Sequence, residues 1–373
     1  MWLKPSGGPG AAVWAHHDEE VLALGVWTEK RPGRGEDAEP LVLHNYAARR
    51  GMLAVCDGVG GAGVQTAGRT SAGTERTGAW VSSRGVRLAA EAYFQQVVQF
   101  DGAPRHAQPG QSDHGPGPAG DEAARGDTGG DLGQRGAPSL HQSVDQMLQG
   151  LRNPARSRIG GTMQRELPST LAAILYRVHD TSLDIRVRWA GDSRCYLLTS
   201  QAGLQQLSRD DSDAADALEA LEQDPPMTNQ IAADGRYQIY DVREAAELPC
   251  MLLCATDGFF NYVSTPAHFE YILLRALAKA ADPREWSAAL AEDVQSYTQD
   301  DASLALVAFG YGDFGQLRAT FADRTMDLEA HHWQPFQALS QASDQEIRAA
   351  RLESWTRYRG DYEQRIKPRE IVT

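Results

Sequence analysis

The sequence has few of the features that mark a secreted, membrane-spanning or nucleic-acid-binding protein. Only four of its 373 residues are cysteine, and no stretch approaches the roughly 20 apolar residues of a membrane-spanning helix. The first twenty residues carry Pro5 and lack the continuous apolar core of a signal peptide. Acidic residues outnumber basic ones by 50 to 36, which argues against nucleic acid as the main partner. We therefore expect a cytoplasmic protein that binds neither a membrane nor nucleic acid.

The scarce cysteines indicate neither a disulfide framework nor a zinc site. No two of them form a Cys-x-x-Cys pair, and no histidine stands at ligand spacing near Cys250 and Cys254. All four lie in apolar, strand-like runs, at Cys56, Cys195, Cys250 and Cys254. We expect them to be reduced core residues, with Cys250 and Cys254 on one face of a strand.

The order of apolar runs predicts an α+β protein. Short apolar or alternating runs predict strands at 21–27, 41–46, 52–56, 169–178, 183–190, 195–200, 236–242, 250–255 and 303–310. Helical spacing of apolar residues predicts helices over 69–100 and 141–151, and two more that begin at Pro266 and Pro283. Because strands and helices do not alternate regularly, we expect layered antiparallel sheets rather than a parallel doubly wound sheet.

Composition divides the chain into two parts with one insertion. Ten glycines and five prolines fall within residues 101–140, so we expect a disordered insertion there. The main domain is expected over 1–312, and 313–373 lie beyond its last strand. That extension contains an amphipathic helix pattern, which we expect to dock onto the domain. The pattern consists of Leu352, Trp355, Tyr358, Tyr362 and Ile366.

Carboxylates recur where the predicted strands end. Asp57-Gly58 closes the run "LAVCDG", Asp257 stands in the same place in "LLCATDG", and Asp300 opens the last strand. Asp37 lies between the first two strands. Each one alone is explained by a turn, because Asp-Gly is a common turn dipeptide.

Taken together, the carboxylates favour a metal site. Clustered carboxylates repel one another and are costly to bury unless a cation compensates them. A cluster of oxygen ligands suits Mg²⁺ or Mn²⁺, and glycine after an aspartate lets a backbone carbonyl approach as a further ligand. Asp192 lies in the hairpin "WAGDSRC", where a structural role in the turn is the stronger interpretation.

These motifs, in this order, resemble the metal-dependent protein phosphatases (PPM, the type 2C serine/threonine phosphatase family), as a bacterial-type member. The matching pieces are "GEDA" (35–38), "AVCDGVGG" (54–61), "STLAAIL" (169–175), "WAGDSRCYLL" (189–198), "LSRDDS" (207–212), "LLCATDGFFNYV" (252–263) and "DDASLALV" (300–307). The resemblance implies a β-sandwich of two mostly antiparallel sheets flanked by helix pairs. It makes 1–312 the catalytic domain and 313–373 a helical extension.

The resemblance also implies a centre of two divalent ions, Mg²⁺ or Mn²⁺. Asp57 would bridge both ions, and the Gly58 carbonyl would be a further ligand. The remaining carboxylates would come from Asp257 and Asp300, with Glu36 and Asp37 near the second ion. A hydroxide bridging the two ions would hydrolyse phosphoserine or phosphothreonine in proteins that a serine/threonine kinase has phosphorylated.

The pattern departs from the family at the arginine that holds the substrate phosphate. Its position is Pro32 here, and both Arg31 and Arg34 flank it. Either guanidinium suits a phosphate, so both remain candidate catalytic residues with Asp57. The displaced arginine also leaves open a pseudophosphatase that binds partners with little turnover. A third interpretation is a partner-switching phosphatase that acts on an anti-sigma-factor antagonist.

Overall fold

The computed structural model describes residues 10–63, 65–69, 73–102, 139–152, 165–339 and 341–367. Within these ranges the chain is α+β, as the sequence predicts, with two stacked antiparallel sheets and helices on both outer faces. Apart from its two ends, the predicted disordered insertion at 101–140 lies outside the described residues.

The first sheet has six strands, all paired antiparallel. They are β1 (Ala11–His17), β2 (Leu22–Thr28), β9 (Arg194–Thr199), β10 (Gly203–Gln206), β12 (Cys250–Ala255) and β13 (Ala302–Phe309), in the spatial order β1-β2-β13-β12-β9-β10. The central strand β13 is buried along its whole length. Its residue Leu306 pairs with Leu24 on one side and Leu253 on the other, so this strand fixes the register of the sheet.

The second sheet has five strands, also antiparallel. They are β3 (Leu41–Asn45), β4 (Arg50–Val55), β7 (Leu171–Val178), β8 (Ser182–Ala190) and β11 (Tyr240–Glu247), in the spatial order β11-β8-β7-β4-β3. A separate small hairpin consists of β5 (Thr66–Arg69) and β6 (Glu75–Thr77).

The inner faces of the two sheets pack against each other and form the middle layer of the core. Leu53 and Ile174 of the second sheet meet Leu252 and Val307 of the first sheet in this layer, and all four side chains are fully buried. The four cysteines are buried and free, as the sequence predicts, and Cys250 and Cys254 both face this layer.

Helices cover the outer face of each sheet. Helices α2 (Gly78–Gly102) and α3 (Leu140–Leu151) pack on the second sheet, and α5 (Pro266–Lys279) and α6 (Pro283–Tyr297) pack on the first. The predicted sandwich with helix pairs is therefore confirmed. The remaining helices are α1 (Gly60–Gly63), α4 (Ala217–Gln223), α7 (Phe314–Thr320), α8 (Ala322–Leu328), α9 (Gln334–Gln337) and α10 (Asp344–Tyr362), with a 3₁₀ turn at Asp257–Phe259 and a π turn at Glu329–Trp333.

None of the helices that the structure describes combines the length and the apolarity that crossing a bilayer requires.

Two sequence predictions were wrong in their boundaries. The helix predicted from residue 69 begins only at Gly78, because the preceding residues pair as the hairpin of β5 and β6. The strand predicted at 236–242 is β11, which runs over Tyr240–Glu247. Tyr237 and Ile239 pack instead in the outer layer beneath α2 and α3. Strand pairing decided both boundaries, within a short hairpin for the helix and with the distant strand β8 for β11, and local propensity does not report such pairing.

The amphipathic helix predicted in the extension is α10, and it packs on the first sheet. Trp355, Tyr358 and Tyr362 are buried in the outer layer of that sheet. Two residues of the predicted apolar face do not belong to it, because Leu352 is 58% exposed and Ile366 lies beyond the helix end. The predicted division into a domain over 1–312 and an extension over 313–373 stays a prediction.

Candidate active site

Several loops meet at one end of the sandwich, and each carries a carboxylate. Asp57 follows β4, Asp257 follows β12 and Asp300 precedes β13. Asp37 lies in the loop from β2 to β3, and Asp192 in the turn from β8 to β9. Antiparallel pairing puts the end of β12 beside the start of β13, so strand order alone brings Asp257 and Asp300 to the same edge.

Hydrogen bonds of its backbone hold Asp57 in position. Its amide donates to the Thr170 hydroxyl at 3.1 Å, and its carbonyl accepts from the Ser169 hydroxyl at 2.7 Å and the Thr170 amide at 2.9 Å. The carboxyl group of Asp57 also interacts with that of Asp37, whose charge raises the pKa of Asp57. The end of β4 therefore holds this side chain against the loop from β2 to β3.

Gly58 allows the chain to pass very close to that loop. A Cβ at this position would lie 2.6 Å from the Glu36 carbonyl oxygen and 2.7 Å from the Ala79 carbonyl oxygen. Only glycine therefore fits between the loop and the start of α2. The close approach explains why Asp57 is followed by glycine independently of any role of the Gly58 carbonyl.

Asp37 is buried, with 1% of its surface exposed. Its carboxylate accepts from the Thr256 hydroxyl at 2.8 Å, and its carbonyl accepts from the Trp27 indole at 3.1 Å. The same Thr256 hydroxyl accepts from the Ser303 amide at 2.8 Å, so Asp37 is tied to both β12 and β13. These contacts place Asp37 at the floor of the site.

Asp301 positions the loop that carries Glu36. Its two carboxylate oxygens accept from the Lys30 amide at 2.8 Å and the Glu36 amide at 2.6 Å. Glu36 itself accepts from the Thr77 hydroxyl through its side chain. Asp300 accepts from the Asp301 amide at 2.8 Å. Asp300 therefore lies at the site, while Asp301 holds the loop that carries Glu36.

Burial and like charges raise the pKa of Asp37, Asp57, Asp257 and Asp300. Burial is the largest cause, and it raises the pKa of Asp37, Asp57 and Asp257 well above the usual range. The Asp37 charge adds to the effect on Asp57, and the Asp57 charge adds to the effect on Asp257. Asp300 is raised by burial and by the Asp301 charge.

Asp192 is part of the same electrostatic cluster. Burial, followed by the charge of Asp210, raises the pKa of Asp192 to about 7. Its Oδ1 atom is buried and has no hydrogen-bond partner in the part of the chain that the structure describes. Its charge raises the pKa of both Asp57 and Asp257. The predicted hairpin is wrong, because β8 and β9 belong to different sheets and the turn that carries Asp192 connects them. The side chain is thus more central than a residue that only braces a turn.

The donor set of the cluster fits Mg²⁺ or Mn²⁺. All its side-chain donors are carboxylate oxygens, and a cation would relieve the repulsion that raises their pKa values. Residues 10–63, 65–69, 73–102, 139–152, 165–339 and 341–367 contain no group of three His, Cys, Asp or Glu side chains already arranged to hold a metal ion. Binding would therefore require the carboxylate side chains to rearrange.

The chain is similar to solved bacterial serine/threonine phosphatases, the family that its motifs resemble. It is 16% identical to the phosphatase Stp1 of Staphylococcus aureus, covering 83% of this chain and 98% of that one, with a TM-score of 0.45. It is 15% identical to the phosphatase PstP/Ppp of Mycobacterium tuberculosis, covering 78% and 100%, with a TM-score of 0.46. No family model and no curated protein matches the chain. At these identities and TM-scores, we infer no activity for this chain from these proteins.

A further similar structure contains metal ions. The catalytic domain of PstP in complex with two manganese ions is 18% identical, covering 78% of this chain and 98% of that one, with a TM-score of 0.42.

Arg31 and Arg34 lie beside the carboxylates. Both side chains are exposed and line a cleft of about 660 Å³, whose rim includes Glu36 and Asp300. Neither side chain makes a hydrogen bond or an ion pair within the described ranges, and the geometry gives no preference between them. The choice of phosphate-binding arginine therefore stays a prediction.

The sequence analysis missed Arg76, a third arginine of this cleft. It donates to the Gly33 carbonyl at 2.6 Å, and its guanidinium stacks over the Trp80 ring at 4.7 Å. The sequence analysis also missed the role of Asp301, which it quoted only within the motif at 300–307. Arg76 lies in the short hairpin that was predicted as helix. No local sequence pattern therefore indicated that it lies near Arg34.

Proposed function

We propose that this protein is a Mg²⁺- or Mn²⁺-dependent protein phosphatase that hydrolyses phosphoserine and phosphothreonine. The observation that carries the proposal is the cluster of Asp37, Asp57, Asp257 and Asp300 at one end of the sandwich, where burial raises the pKa of each carboxyl group. Structural ion pairs do not explain it, because the clustered groups all carry charge of one sign.

Asp57, Asp257 and Asp300 would hold two divalent ions, with the Gly58 carbonyl, Glu36 and Asp37 as further ligands. When bound, the ions supply an activated water and offset the charge that develops on a phosphoryl group. Asp57 is suited to a central place because its backbone is fixed from both sides by Ser169 and Thr170.

Arg31 and Arg34 would bind the phosphate of the substrate. Guanidinium groups bind phosphate oxygens through two parallel hydrogen bonds, and both side chains are exposed at the cleft beside Asp300. A cysteine nucleophile is not part of this mechanism, because burial raises the pKa of Cys56 and Cys254 and keeps their thiols protonated.

The proposal is tested by phosphatase assays of the full chain with p-nitrophenyl phosphate and with a phosphothreonine peptide. We expect activity with Mn²⁺, none with a chelator, and a loss of at least about 100-fold in kcat for Asp57→Asn, because a central ligand charge is removed. Asp180→Asn, which changes a surface carboxylate that is 94% exposed, is the matched control. Turnover that persists in chelator, or in Asp57→Asn, would contradict the proposal.

A second candidate function is a pseudophosphatase that binds partner proteins with little turnover. One observation favours it, namely Pro32 at the position of the phosphate-binding arginine. In that case calorimetry would detect Mn²⁺ binding, while a panel of phosphopeptides would show no hydrolysis.

A further inference from the structure

The cleft beside Glu36 has a wall that carries four cations. Lys30, Arg31, Arg34 and Arg76 line it together with the carboxylates of Glu36, Glu75, Asp300 and Asp301, and we call the four basic side chains the basic wall. The proposed function assigns Glu36 and Asp300 to the metal ions, and Asp301 accepts from two backbone amides, so these three carboxylates have other partners. The cleft opens next to Asp300, where the proposed function places the phosphorylated residue.

Most of the charge of the basic wall is not used inside the protein. The side chains of Lys30, Arg31 and Arg34 are exposed, and the described residues form no salt bridge with any of them, although the Lys30 charge lowers the pKa of Asp300. Nearby carboxylates have other partners, since Glu29 accepts from the Gly33 and Gly35 amides and Asp301 accepts from two backbone amides. The wall can therefore attract an anion from outside the chain.

Arg76 and Trp80 hold the wall in place. Arg76 connects the loop to the start of α2, because it donates to the Gly33 carbonyl at 2.6 Å and stacks over Trp80. Arg84 also contacts Trp80. Its guanidinium lies 4.3 Å from the ring centre and donates to the Glu36 carbonyl at 3.2 Å. The loop that bears the cations is thus anchored at two points, which lowers the entropy lost on binding.

We propose that the cations of the basic wall that do not hold the phosphate bind glutamate or aspartate side chains that flank the phosphorylated residue, so that the substrates are acidic phosphopeptide segments. This inference rests on the proposed function, because it takes the phosphate to lie at the carboxylate cluster. The cleft is too large for a phosphate alone, and its cations outside the cluster provide the charge that an acidic neighbour requires.

The test compares two phosphothreonine peptides of equal length, one with three glutamates and one with three lysines around the phosphorylated residue. We expect kcat/KM with Mn²⁺ to be higher for the acidic peptide, and Lys30→Glu to lower the acidic-to-basic ratio at least about threefold. Because a ratio is measured, a general loss of activity cancels. Raising the salt concentration is expected to weaken the preference.

Lys279→Glu is the matched control, since Lys279 is an exposed lysine at the end of α5, outside the cleft. It should leave the ratio unchanged, and Lys30→Gln supplies a milder variant if Lys30→Glu does not fold. A wild-type ratio of one or less would overturn the inference, as would an equal effect of Lys30→Glu and Lys279→Glu.

Binding distinguishes a failure of this inference from a failure of the proposed function. Fluorescence anisotropy of the same two peptides, labelled, measures the preference without turnover. Tighter binding of the acidic peptide that Lys30→Glu abolishes, with no hydrolysis, would contradict only the phosphatase activity. Hydrolysis of both peptides with equal kcat/KM and equal affinity would contradict only the role of the basic wall.

Discussion

At the scale of single residues, the raised pKa values describe a site in which negative charges are forced together. Burial raises the pKa of Asp37 and Asp57, and the Asp37 charge raises that of Asp57 further. Asp192 adds a charge to this cluster from the turn that connects β8 of the second sheet to β9 of the first. The protein therefore gives up stability at this end of the sandwich, which is a common property of functional sites.

Asp192 provides a prediction about pH. Its folded-state pKa is raised to about 7, so the folded protein holds this proton more tightly than the unfolded chain does. As pH rises from about 4 to 7, the unfolded chain releases its proton first, and the free energy of unfolding falls by up to about 4 kcal/mol. In chelator, Asp192→Asn should lose less stability over this range than the wild type.

Thermal unfolding in chelator at several pH values measures this difference. Asp180→Asn is the control, because Asp180 lies on the surface and is 94% exposed. The wild type and Asp192→Asn should have similar stability near pH 4 and diverge towards pH 7.5. Parallel curves for the wild type and Asp192→Asn would show that the carboxyl of Asp192 titrates normally.

At the scale of elements, α10 joins the last part of the chain to the body of the sandwich. Tyr358 donates to Glu270 of α5 at 2.5 Å, and the same carboxylate accepts two hydrogen bonds from Arg324. Trp355 donates to Asp216, which caps the N-terminus of α4, at 3.2 Å. The helix therefore stabilises both the outer helical layer and the segment that precedes α4.

Trp355→Ala tests that packing. Trp355 is 2% exposed, so its truncation should lower the free energy of unfolding by about 3–5 kcal/mol through the lost apolar contacts and the cavity left behind. Leu352→Ala on the same helix changes a side chain that is 58% exposed and should cost no more than about 0.5 kcal/mol. Urea unfolding measures both variants, and equal costs would mean that α10 does not dock on the sheet.

Element prediction succeeded where the signal is local. The strands before Asp57 and Asp257 are continuous apolar runs that end in Asp-Gly, and the structure gives them nearly the predicted bounds. The hydrogen bonds that organise the site join distant positions, such as Thr256 with Asp37, which are 219 residues apart, and Asp301 with Glu36, which are 265 apart. No short window of sequence contains such a pair.

At the scale of the whole molecule, the sandwich brings the ends of strands from both sheets to one edge. Asp57 comes from the second sheet, and Asp257 and Asp300 come from the first. The inner core that joins the two sheets therefore sets the distance between the carboxylates. Metal binding and stability should be coupled, because a cation that binds only the folded protein stabilises it.

The position of bound Mn²⁺ tests this account most directly. In a crystal soaked with Mn²⁺, we expect two anomalous scattering peaks within coordination distance of Asp57, with Asp257 and Asp300 as further ligands. Peaks located elsewhere, or carboxylates of Asp57, Asp257 and Asp300 that bind no ion at millimolar Mn²⁺, would contradict it.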